Sequence, residues 1–223
     1  MSLKPMFQVL ALILLMSCNS NEKKLMKITK EKVVENINVL RSAGFFEKYE
    51  ELTNLQVYDS LYSIRKEKYS EIFKKPYDPG MELGVIELAE YDNTRLLFLD
   101  LEADVAKDNN VYINVINAFS KLSNNQFQPK EIKEKWESET GPIKVSFISN
   151  DSLVLFEPEY NNDWLNESVF STCLKELTNK DVRIVECLSD DGFGYGQAIA
   201  LMRLTKEEQK ILETKLNLKF SSD

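Results

Sequence analysis

LGVIELAEYDNTRLLFLDLEADV, residues 83–105, is where the apolar rhythm of the chain changes. Upstream, Val33, Ile37 and Leu40, and then Leu61, Ile64/Arg65, Tyr69 and Ile72, recur at three- and four-residue intervals, the period of a helix with one buried stripe. Within the stretch the spacing shortens. It reads as two strands, 85–90 and 95–105, joined by a turn at Asp92-Asn93. The preceding Lys75-Pro76-Tyr77-Asp78-Pro79-Gly80 cannot continue a helix and marks a boundary. This divides the chain into a helical segment, 28–75, and a second region, 83–220.

Working downstream, Tyr112, Val115, Ile116, Phe119 and Leu122 mark a helix, and a short helix carrying Ile132 and Trp136 is expected after Pro129. Ile143, Val145 and Phe147 alternate into a strand that turns at Asn150-Asp151 into a second, 153–156. A helix over 163–177 follows, opened by Asp163 and anchored by Trp164. Another hairpin spans 182–188 and 197–204, and Thr205 with Glu208 forms a capping box for a last helix. Strand-strand-helix three times over predicts an α+β fold of antiparallel hairpins with helices on one face. The 83–220 region is expected to fold on its own, with the helical segment packed against it. Two similar hexamers, 109–114 and 161–166, each open an expected helix and suggest either a repeat or shared capping chemistry.

The chain has 223 residues, 36 acidic against 28 basic, a formal net charge of −8 and no histidine. It contains no basic run to meet a phosphate backbone, so nucleic acid is not an expected partner. Without an imidazole, Ser-His-Asp and Cys-His catalysis, HExxH zinc sites and histidine pH switches are excluded. At the N-terminus, Lys4 precedes the apolar run FQVLALILLM, 7–16, and then Ser17-Cys18 and a polar stretch. Ten residues rise about 15 Å as a helix, half a bilayer core, which suits a signal peptide and not a membrane span. Leu15-Met16-Ser17-Cys18 resembles the lipobox of bacterial lipoproteins. The resemblance implies a signal peptide over 1–17, cleavage before Cys18, lipidation of Cys18 and a polar tether over 18–27. It also implies an extracytoplasmic body held to a membrane by acyl chains, the outer membrane of a two-membrane cell being favoured by Asn19. So acidic a body is not expected to lie flat on anionic lipid.

Three features are candidates for chemistry. Asp100, Glu102 and Asp104 alternate with Leu101, Ala103 and Val105, and an extended strand would project all three carboxylates from one face. Such a face needs water, cross-strand cations, a divalent cation or a basic protein partner. Asp190-Asp191-Gly192-Phe193-Gly194-Tyr195-Gly196 leads into an apolar strand and not a helix, so it reads as a hairpin loop offering Phe193 and Tyr195 for recognition. Glu157, Glu159, Asp163 and Trp164 set carboxylates near aromatics, a pattern compatible with a sugar site. Cys173 and Cys187 either pair in an oxidising compartment or remain buried thiols. No cofactor signature occurs. The leading expectation is a membrane-anchored, non-catalytic binding protein, and the alternative is a carboxylate-based hydrolase of the cell envelope, metal-assisted or glycosidic.

Overall fold

The computed structural model describes residues 28–177, 182–189 and 192–222. In chain order these form α1 (Lys30–Ser42), α2 (Asn54–Phe73), α3 (Val85–Ala89), β1 (Leu96–Asp100), α4 (Val111–Leu122), β2 (Lys130–Trp136), β3 (Ile143–Ser149), β4 (Ser152–Phe156), α5 (Ser168–Lys175), β5 (Ile184–Leu188), β6 (Ala198–Arg203), α6 (Lys206–Leu216) and β7 (Lys219–Phe220). The fold is α+β, with two antiparallel sheets in the orders β1-β6-β5-β7 and β2-β3-β4. Among the described residues no helix is long and apolar enough to cross a membrane.

The four-stranded sheet is apolar on both faces, which is why LLFL and AIALM read as continuous runs. Because side chains alternate across a strand, neighbours in sequence serve different cores. Leu96, Phe98, Val185, Cys187, Ala200 and Met202 face a cluster shared with α1, α2, α3 and α6. Leu97, Leu99, Ile184, Ile199 and Leu201 face a second cluster shared with α4, α5 and the three-stranded sheet. The register keeps the sets apart, with Leu96 opposite Met202 and Leu97 opposite Leu201. The molecule is therefore layered, with this sheet in the middle and a helical layer on one side of it. On the other side α4 and α5 pack with Ile143, Val145 and Phe147 of β3.

Local chemistry starts and stops these elements. Thr29 caps α1 through Lys32 N–H, and Thr53 with Gln56 forms a capping box at α2. The expected box of Thr205 with Glu208 is present at α6. Helix α4 is capped differently: its N-cap Asn110 is left-handed and makes no side-chain cap bond. Instead Glu134, reaching from β2, accepts Tyr112 N–H at 3.0 Å and Ile113 N–H at 3.4 Å, while its other oxygen accepts Trp136 Nε1–H at 2.8 Å. Glu134→Ala is expected to cost about 1–2 kcal/mol, read as a lowered urea midpoint with unchanged slope, because it frees two helix N–H donors and an indole N–H together. Tyr112, fully buried, accepts Asn166 N–H through its hydroxyl and so fixes the approach to α5.

Two elements exchange type relative to the sequence reading. The expected strand 85–90 is instead the helix α3 with its C-cap Glu90, because Glu87 accepts Gly84 N–H at 2.7 Å and Leu88 and Ala89 turn together into the first core. Residues 130–136 are the strand β2 and not a helix. Ile132 and Trp136 stand four apart, and a spacing of four returns a side chain to the same face in either element. Consequently β1 has no hairpin partner beside it in sequence and pairs with β6. Strand β1 also ends at Asp100, short of the extended segment that the sequence predicts over 95–105. Helix α5 starts at Ser168 and not Asp163, and Trp164 lies 41% exposed rather than in the core. The hexamers 109–114 and 161–166 are not equivalent: the first enters α4 directly, and the second makes a tight bridge between Asn161 and Trp164 before α5 begins. Cys173 and Cys187 are free, each in a different core, with the middle sheet between them.

One polar junction ties three distant segments. Arg95 donates to Arg203 O and to both carboxylate oxygens of Glu208, with side chains 11% and 18% exposed. The guanidinium lies against Gly44, whose left-handed backbone (φ +79°) and missing Cβ make room for it; any side chain there would meet Arg95 and Glu208.

Candidate functional site

The acidic segment and the aromatic loop meet at one end of the four-stranded sheet. Strand β1 runs out where Asp100 faces Ala198 at the start of β6, and Leu101 N–H donates to Gln197 O at 2.8 Å. Beyond that point the chain leaves the sheet and pairs loosely with 161–165. Leu165 N–H donates to Leu101 O, Ala103 and Val105 N–H both donate to Asp163 O, and Glu102 bridges Trp164. The carboxylates are thus not a rigid row on one strand face. Asp100 caps its own turn by accepting Glu102 N–H at 3.0 Å, and Asp104 adopts a left-handed conformation (φ +50°) with its carbonyl taking Asn109 Nδ2–H. All three side chains are exposed.

Gln197 joins the two features. Its Nε2 amide donates to Asp100 Oδ1 and Oδ2 at 3.1 and 3.2 Å and to Glu102 Oε2 at 3.1 Å. A neutral amide lets two carboxylates approach a common point, yet cancels none of their charge, so this corner keeps a negative field.

The loop divides its aromatics. Tyr195 turns inward, edge-on to Phe98 with ring centroids 5.5 Å apart, and its hydroxyl donates to Leu188 O at 3.2 Å. Phe193 turns outward and is 91% exposed. Tyr195 is therefore the loop's foot, and Phe193 its exposed ring. Asp190, Asp191 and Cys18 lie outside the described residues.

On the far side of Asp100 an open groove of about 470 Å³ runs between β1 and α4. Leu99, Val111, Val115 and Leu165 wall it, while Asp100, Asp104, Asn109 and Asn114 supply polar groups. An apolar trough with two carboxylates and two amides is suited to a ligand with an aliphatic stem and a cationic end. Among the described residues no group of three or more acidic or thiol side chains is arranged to hold a metal ion. The buried thiols are poor nucleophiles: burial pushes Cys173 up to about 12 and Cys187 up to about 11.

The sequence pattern does not single out Gln197, Asn109 or Asn114 as site residues. The amide at 197 could have drawn attention, being the one polar residue between Gly196 and the apolar β6, but its partners lie over ninety positions away. Nor does the pattern single out Arg95, Arg183 and Arg203, which with Glu208 line a cleft of about 340 Å³. Burial there, followed by the neighbouring Arg95 charge, holds Arg203 below its ordinary value.

Comparison with family models, with curated proteins and with solved structures yields no match to this chain.

Proposed function

We propose that this chain is the water-exposed body of a lipid-anchored, extracytoplasmic protein whose work is binding. The ligand is a basic protein segment, received where Asp100 and Glu102 meet Gln197 at the foot of the aromatic loop, with Asp104 lining the groove beside them. The observation that carries the reading is the Gln197 amide shared by Asp100 and Glu102 beside an apolar-walled groove. It sets negative charge beside an open groove that can take a lysine or arginine stem. The lipobox-like Leu15-Met16-Ser17-Cys18 supports the location, and Asn19 the outer membrane.

Two experiments test the two halves. Cys18→Ser should shift the protein out of the detergent-extracted membrane fraction of cells; equal partitioning of variant and wild type would remove the anchor from the proposal. For the site, a fluorescent oligolysine peptide titrated into the full chain should bind more weakly as salt rises, since exposed charges are screened within about 8 Å at physiological ionic strength. Asp100→Asn with Asp104→Asn should weaken it by about tenfold at low salt, the scale of one lost charge-assisted contact. An affinity indifferent to this double substitution would show that the corner is only solvated.

A further inference from the structure

We propose that the distal half of α2, with the proline turn after it, is a membrane-docking arm that rests on the headgroup region of an anionic bilayer.

Helix α2 is twenty residues long, yet its buried residues Val57, Tyr58 and Leu61 all belong to its first half. From residue 62 to residue 80 no side chain is buried. Ile64, Ile72, Phe73 and Tyr77 are all at least 40% exposed, the densest concentration of exposed large apolar side chains among the described residues.

This end is built and held. The chain folds back after Lys74 so that Tyr77 stacks on Tyr69 at 6.1 Å and packs on Phe73 at 4.5 Å. Tyr77 N–H donates to Ser70 Oγ, the Tyr62 hydroxyl donates to Asp78, and Arg65 Nε donates to Gly80 O. An ordered aromatic cluster kept in water gains nothing from burial within the chain, and its ordering cost has already been met for whatever covers it.

Charge selects the occupant. Over 65–80 stand Arg65, Lys66, Lys68, Lys74 and Lys75, against Glu67, Glu71 and Asp78, the last 3.7 Å from Lys66, a basic end on a chain of net charge −8. Aromatic rings with lysines around them suit the boundary between headgroups and acyl chains, and basic residues there are drawn to anionic lipid. The acidic body as a whole would be repelled, so it can touch such a surface only by this end.

Position agrees. Asn54 donates to Asn38 near the end of α1, whereas Lys30 at the start of α1 lies over the Tyr58 ring and 3.5 Å from Asp59. Helix α1 therefore runs back along α2, and Ile28, the first described residue, lies beside Tyr58 and Met81 on the side toward the arm. From Tyr58 to Phe73 the helix rises about 22 Å. The ten residues from Cys18 to Ile28 can span at most about 35 Å, enough for lipid on Cys18 and the arm to share one surface.

This inference rests on the lipid anchor proposed above. Its test uses the lipidated mature chain in vesicles of phosphatidylethanolamine with about a quarter phosphatidylglycerol. An environment-sensitive fluorophore is placed on Ile72→Cys or, as a control, on Leu153→Cys, an exposed residue of β4. Cys173 and Cys187 are buried and, with thiols raised to about 12 and about 11, stay unlabelled at neutral pH. Residue 72 should shift its emission to the blue and be quenched by headgroup-labelled lipid several-fold more than residue 153. Lys74→Glu with Lys75→Glu should remove the difference while the protein still sediments with the vesicles. Sedimentation with residue 72 as water-exposed as residue 153 overturns the docking arm and leaves the anchor standing; failure to sediment overturns both.

Discussion

A chain beginning at Met81 is expected to lose cooperative unfolding altogether, giving a broad thermal transition, collapsed near-ultraviolet circular dichroism and strong binding of hydrophobic dyes. The first 80 residues supply Val33, Ile37, Leu40, Phe45, Phe46, Val57 and Leu61, each 2% exposed or less, to the first core. At about 1.5–3 kcal/mol for each such side chain, their loss matches or exceeds the net stability of an ordinary domain, about 5–15 kcal/mol. Val185, Cys187, Ala200 and Met202 would then open to water along one face of the middle sheet. A sharp melt of the shortened chain, with native near-ultraviolet signal, would mean that 83–220 carries a sufficient core in its second cluster alone.

Glu208→Gln is expected to cost about 3 kcal/mol, and Glu208→Ala about 4 kcal/mol. Glu208 closes the α6 capping box by accepting Thr205 N–H at 2.8 Å and meets Arg95 with both oxygens. Glutamine can still serve the cap but leaves the Arg95 guanidinium charged and largely buried; alanine removes both. Replacing both partners by apolar residues, Arg95→Met with Glu208→Met, should recover much of the loss, since the penalty comes from one stranded charge. Urea titrations of the three variants decide it. If glutamine matches wild type within about 0.5 kcal/mol, the cap and not the ion pair supports this junction.

Elements whose signals are local were legible in the sequence. Thr205 and Glu208 announce α6, and Val33, Ile37 and Leu40 announce the buried stripe of α1, because caps and helical stripes are written within a few residues. The α2 stripe was legible only in part: Leu61 is buried, but Ile64 and Ile72 are exposed, and the inward residues are Val57 and Tyr58. Periodicity shows that a helix has an apolar face, not where along its length the core ends. Likewise β1 pairs with β6 across about a hundred residues, a partnership no local pattern encodes. The site followed the same rule. Asp100, Glu102 and Phe193 stood out as residue types, while Gln197, which links the carboxylates, reads locally as the filler between a glycine loop and a strand.

The placement of the two thiols gives the molecule a pair of internal gauges. Cys187 looks into the layer built with α1, α2, α3 and α6, and Cys173 into the layer built with α4 and α5. Each sulfur can react only when its own layer opens, so timed alkylation followed by peptide mapping reads the opening free energy of each layer separately. Equal protection would reveal one cooperative unit hinged on the shared sheet. Unequal protection would rank the layers and show which one gives way first when the molecule opens.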